Sequence, residues 1–205
     1  GRIYKLTSGD EYAAGYNYVI RPISDPGVPV AKLYLNGQLV HEYNRLEDAL
    51  AYMQFNEGAY TTVVDGSCQL SAGTYYVPDY ATLVIAHQEG QNSAIGPTAA
   101  RTPIDNYNRK AFARVEMLDN TSLIVEGVLE VSALQQDGYE TISTVSGATG
   151  YGHLHLAPTA SIIMESGSHL QAWGYITGTG TISALNGSHI HEFLQLGDWK
   201  GGSND

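Results

Sequence analysis

Three histidines stand where they could share a metal ion. His169 and His189 occupy the same place in two copies of one phrase, SIIMESGSHL from Ser161 and TISALNGSHI from Thr181, and His191 follows two residues later. In extended chain this spacing sets all three imidazoles on one outward side, because Leu170 and Ile190 turn inward. Imidazoles at that separation can hold a Zn²⁺. Without a convergent carboxylate they form a solvated polar ladder, and no cofactor is implied. His153 and His155 repeat the alternation on a different face and would not complete the set.

The same outward strip carries rings and polar donors. At a shift of 20 residues Trp173 aligns with Phe193, and Tyr151 aligns with Gln171 and His191. Exposed rings beside hydrogen-bonding groups suit stacking against a sugar. Cover by a loop or a neighbouring module is the alternative.

A third candidate site lies in RTPIDNYNR, where Arg101, Asp105 and Arg109 share a stretch that breaks the pattern of the rest. The other aspartates, Asp65, Asp79, Asp119 and Asp137, fall mainly at turns, where Asp bonds its own backbone. Cys68 is the only cysteine, which excludes an internal disulfide. Its setting, DGSCQL, predicts a small packed side chain at a turn and strand, not a catalytic thiol.

What positions these residues is a repeat. Short Ser/Thr-led runs begin at Thr62, Thr82, Ser122, Thr141, Ser161 and Thr181, at intervals of 20, 40, 19, 20 and 20 residues. Gly66, Gly127, Gly147, Gly167 and Gly187 keep the same beat. Each unit holds three short runs of alternating apolar residues, so one face is buried and the other solvated. A unit this small must stack on copies of itself. Parallel stacking at about 4.8 Å predicts one inner column of Ile142, Ile162 and Ile182, and another of Leu129, Leu170 and Ile190. The expected fold is all-β: a single-stranded parallel β-helix of about 20 residues per coil.

The start of the stack needs a cover. Asn36-Gly37 between alternating runs predicts a hairpin over residues 33–43. NRLEDALAYMQF then reads as an amphipathic capping helix, with Asn44 as N-cap, Glu47 three residues on, and a stripe of Leu46, Ala49, Leu50 and Met53. The expected organisation is an extended arm or tail of a preceding module over 1–32, hairpin and capping helix over 33–56, and the β-helix over 57–196. A long loop excursion is expected over 86–113, and a Gly-rich tail or truncated continuation over 197–205. The opening Gly1 is read as the start of an excised segment whose targeting peptide was removed.

Charge narrows the partners. Asp and Glu number 21 against 10 Lys and Arg, a net charge of −11 that excludes a phosphate-binding stripe and docking on an anionic membrane. No apolar run reaches the roughly 18 residues a membrane-spanning helix needs.

The capping helix LEDALAYM, the run GSHLQAWGYITGTGTISALNGSHI and the closing HEFLQLGDWKGGS resemble the pectin-lyase-like β-helices of large bacterial surface proteins, over about residues 40–200. The resemblance implies a right-handed helix. Its hydrolases carry Asn-Thr-Asp, Asp-Asp and Gly-His-Gly patterns; the first two are lacking here, and Gly152-His153 is followed by Leu154. Its lyases carry Arg-x-Pro-x-x-Arg, of which Arg101 and Pro103 are present while Asn106 holds the second Arg position. The expectation is therefore a non-catalytic, extracellular or wall-associated module, a spacer or an adhesion unit for a glycan or a host or cell-surface protein. The alternative is a polysaccharide-acting lyase or hydrolase with its site in the 86–113 loop or outside this chain.

Overall fold

The computed structural model of the protein describes residues 4–7, 19–22, 29–86, 112–134, 141–142 and 151–192. They are mostly strand, with one α-helix among them. Strands β1 (Tyr4–Thr7) and β2 (Val19–Pro22) pair antiparallel. Strands β3 (Ala31–Leu35) and β4 (Gln38–Tyr43) form the hairpin that Asn36-Gly37 predicts, both turn residues taking positive φ (51° and 79°).

Helix α1 (Leu46–Phe55) follows and buries Leu46, Ala49, Leu50 and Met53, the stripe read from its spacing. Its N-cap is Arg45, one residue later than the predicted Asn44, and no side chain caps it. The capping box does not form: Glu47 lies 3.6 Å from Arg45 in an ion pair instead. Two contacts pin the helix to the stack. Thr62 Oγ1 donates to the Met53 sulfur at 3.2 Å, and Tyr80 Oη donates to the Met53 carbonyl at 2.9 Å.

Beyond the helix the chain visits three sheets in turn. Strands β5 (Tyr60–Val64), β6 (Ser67–Leu70) and β7 (Gly73–Val77) make the first circuit, one strand in each sheet. Next come β8 (Ala81–Ile85), β9 (Phe112–Met117) and β10 (Thr121–Val125). The pair β12 (Ala133–Leu134) and β13 (Thr141–Ile142) interrupts the third circuit, made of β11 (Val128–Val131), β14 (Tyr151–Leu156) and β15 (Ser161–Met164). The fourth has β16 (His169–Ala172), β17 (Tyr175–Gly178) and β18 (Thr181–Ala184), and β19 (His189–Glu192) begins a fifth.

Every strand of a circuit pairs in parallel with its counterpart in the next. The hairpin closes the starting edge of the first sheet, β3 lying antiparallel to β5. The period of 20 thus has a physical cause: each return places the chain one rung beyond its previous pass.

Register creates the core. Leu83, Leu129, Leu170 and Ile190 form one inner column, and Val64, Ile85, Val131 and Ala172 the next. Leu123, Ile162 and Ile182 form a third. Each fully buried Leu or Ile contributes on the order of 1.5–3 kcal/mol. Ile142 is absent from this last column, contrary to the periodicity. It sits in β13, antiparallel to Ala133 of β12. β11 ends at Val131 and β14 begins at Tyr151, an interval of one period, and within it the described strands β12 and β13 pair with each other in a sheet of their own, so the beat passes without either of them joining the three sheets. A longer interval separates β8, which ends at Ile85, from β9, which begins at Phe112. Consequently Thr62 and Thr82 lie in the first sheet, whereas Ser122, Ser161 and Thr181 lie in the third.

The repeated Gly-Ser-His phrase occupies the corner from third sheet to first. Ser168 Oγ donates to the Glu165 carbonyl at 2.6 Å and Ser188 Oγ to the Leu185 carbonyl at 2.7 Å, closing the same turn on consecutive circuits. Gly167 and Gly187 take φ of +84° and +91° there, a conformation L side chains resist.

Candidate functional site

Two groups of polar side chains stand out on the outside of the stack. The first lies on the closing end of the first sheet. His169 pairs in register with His189, and Gln171 with His191. The His169 and His189 rings lie 4.8 Å apart with planes within 13°, and the His169 and His191 rings 5.8 Å apart with planes within 5°. The Trp173 ring sits 6.5 Å from that of His191, half-buried in the corner after β16. Its backbone N–H donates to the Val131 carbonyl at 2.9 Å, which fixes the corner.

This arrangement is a stack, not a coordination shell. A Zn²⁺ needs imidazole nitrogens aimed at one point about 2.0–2.1 Å away, so ring planes must converge. These three planes run nearly parallel. Among the described residues no group of three His, Cys, Asp or Glu is placed to hold a metal ion.

Tyr151 does not join the strip. It belongs to β14 in the second sheet, opposite Phe112, while Gln171 has Glu130 and His191 as its neighbours in the first. The interval between β11 and β14 shifts the frame in which the sequence aligns Tyr151 with Gln171. Phe193, Arg101, Asp105 and Arg109 lie outside the described residues.

The second group lies on the outward face of the second sheet, and spacing alone had not assembled it. Inward positions there hold Cys68, Val115, Leu154 and Ile176, then Leu70, Met117 and Leu156. The outward positions between them form two rows. Ser67, Arg114, His153 and Tyr175 make one; Gln69, Glu116, His155 and Thr177 make the other.

Hydrogen bonds tie these rows together across strands. Arg114 Nη1 lies 3.1 Å from His153 Nδ1. A guanidinium only donates, so His153 Nδ1 accepts and its proton sits on Nε2. That Nε2–H donates to Thr177 Oγ1 at 2.7 Å, and Thr177 Oγ1 also lies 3.0 Å from His155 Nδ1. On the neighbouring rungs Gln69 Nε2 donates to Glu116 Oε2 at 2.6 Å.

Burial sets the charges. Arg114 and His153 are only 6% and 4% exposed. Burial, then the Arg114 cation and then His155, hold His153 down to about 3, so it is neutral near pH 7. His155 is lowered in the same direction by burial and Arg114, with Glu116 opposing. Burial pushes the Cys68 thiol well above its ordinary range, which keeps it protonated and unreactive.

The signal for this group was present as Arg114-x-Glu116 and His153-x-His155, each alternating with inward apolar residues. It was obscured because the long interval between β11 and β14 separates the strands that carry them. No family model, curated protein or solved structure matches the chain.

Proposed function

We propose that this chain is a right-handed, pectin-lyase-like parallel β-helix module of an extracellular or wall-associated bacterial protein. It serves as a spacer that also presents a recognition surface, with a glycan as the ligand. The three-sheet circuit supports the architecture: parallel rungs, inner apolar columns and a helix over the starting end. No helix among the described residues is long and apolar enough to cross a membrane.

One observation carries the recognition role. Trp173, His169, His189 and His191 gather at one end of the first sheet, ring beside ring, with His189 and His191 exposed. A stiff surface of ring edges and an indole binds without much loss of side-chain freedom. A glycan array probed with this protein and with Trp173→Ala tests the reading. Signals that fade in the variant support it, and an array left blank by folded protein contradicts it.

A further inference from the structure

Large apolar side chains that stay in water gather at the two ends of the stack. Among the described residues six are exposed: Leu39, Val40, Tyr52 and Phe55 at the start, Leu185 and Ile190 at the close. None of the six lies on the walls between. A stacked-repeat protein stays soluble when the outer face of its terminal unit is polar. The cap here is not. Helix α1 turns Leu46, Leu50 and Met53 to the stack and leaves Ala51, Tyr52 and Phe55 on its other side, Phe55 being 79% exposed. At the far end Ile190 continues the inner column of Leu129 and Leu170, yet it is 39% exposed, and β19 is the last strand of that sheet.

The two ends also match in backbone direction. The first sheet runs from β4 to β19, and among the described residues each of these strands has one open edge. Strand β3 is antiparallel to both β4 and β5, so β4 runs the same way as β5. Through the parallel ladder it runs the same way as β19 as well. A second copy moved along the stack, without being turned over, therefore brings its β4 beside the first copy's β19 as one more parallel rung.

We propose that this chain associates with a second copy of itself head to tail, the α1 and β4 end of one seated on the β18 and β19 end of the next. Tyr52 and Phe55 then cover Ile182, Leu185 and Ile190, and the open edges of β4 and β19 supply each other's backbone partners. Side chains keep their faces across the junction. On β4, His41 and Tyr43 are inward positions and Glu42 an outward one; on β19, Ile190 is inward and His191 outward. A register with Ile190 beside His41 sets the His191 imidazole beside the Glu42 carboxylate, a donor against an acceptor.

The contact joins two different surfaces, so each pair keeps one free end of each kind and the series does not close. Charge opposes it: every copy carries −11, a repulsion that salt screens. The inference stands apart from the glycan reading, but every added copy repeats the Trp173 surface and so raises avidity for a repeating ligand.

The test is sedimentation velocity of the whole chain. The wild type is expected to form larger species of no fixed size as its concentration rises towards about 1 mM, and more of them as NaCl is raised. The double variant Val40→Lys, Phe55→Glu blocks the starting end, and Leu185→Lys, Ile190→Lys blocks the closing end. Each alone should remain a monomer. Mixed, they should form a one-to-one dimer and nothing larger, because each keeps the end that the other lacks. Where a variant loses its fold by circular dichroism, serine at the same positions takes its place. Self-association of either variant alone means that a surface pairs with its own kind and overturns the head-to-tail contact, as does a mixture that stays monomeric. A monomeric wild type also overturns it; a lower thermal midpoint in Leu185→Lys, Ile190→Lys would then assign the cover of that end to residues 193–205 of the same chain.

Discussion

Arg114 of β9 and His153 of β14, 39 residues apart, meet at 3.1 Å as a buried guanidinium donating to a neutral imidazole. Burial of His153, and then the Arg114 charge beside it, makes the fold sensitive to acid. His153 titrates near 6.5 when unfolded and near 3 when folded, so between those values the unfolded chain binds the extra proton. Stability therefore rises with pH across that window and is lost as pH falls from about 6.5 towards 3, by up to roughly 1.4 kcal/mol per unit from this group. In His153→Gln the amide can accept from Arg114 and donate to Thr177 without titrating. Urea midpoints at pH 7, 5 and 4 should fall more steeply in the wild type than in this variant; parallel falls would refute the assignment.

Gly174 turns the corner after Trp173 where there is no room for a side chain. A Cβ there would press on the backbone carbonyls of Ser132 and Gly152 and on Val131. Backbone cannot yield as a flexible side chain does, so Gly174→Ala should cost about 2–3 kcal/mol. A denaturant midpoint unchanged from wild type would show that the corner is looser than this.

Helix α1 covers the starting end of the inner columns through Leu50 and Met53, 1% and 0% exposed. Leu50→Ala should destabilise the protein by about 2–5 kcal/mol, a transfer loss plus a cavity. Met53→Ala should cost as much or more, since Thr62 Oγ1 also loses its sulfur partner. Equal thermal midpoints for Leu50→Ala and wild type would mean that the helix is dispensable to the stack.

Cys68 faces the interior beside Val115 with its thiol held protonated. Ellman's reagent should label it fully in urea and more slowly in native protein, where the residue is half-buried and its thiol is held protonated. Immediate labelling of the native chain would place the thiol at the surface.

How much was legible in the sequence follows from which residues carried local information. Asn36-Gly37 encodes its turn in two residues, and the Leu46–Met53 stripe encodes a helix face in eight, so both were readable. The columns through Leu170 and Ile190 were readable too, because adjacent circuits there are 20 residues apart without interruption. Ile142 and Tyr151 were misplaced because the interval between β11 and β14 is one period long and imitates a coil in the sequence. The Arg114, His153 and Thr177 network was not legible, since its members come together only through the pairing of β9, β14 and β17, and the long interval before β14 separates the first two of these strands.

Every placement of a functional residue depends on that register, and one cross-linking experiment tests it directly. Ser122 Oγ and Ser161 Oγ lie 2.9 Å apart on neighbouring parallel strands β10 and β15, whereas Thr141 belongs to β13, off the stack. In a Cys68→Ala background, the double variant Ser122→Cys, Ser161→Cys should form an intramolecular disulfide on mild oxidation, since the side chains are within bonding reach. The pair Thr141→Cys, Ser161→Cys, which an unbroken 20-residue repeat would make neighbours, should not. Oxidation of the second pair and not the first would contradict the register on which the whole account stands.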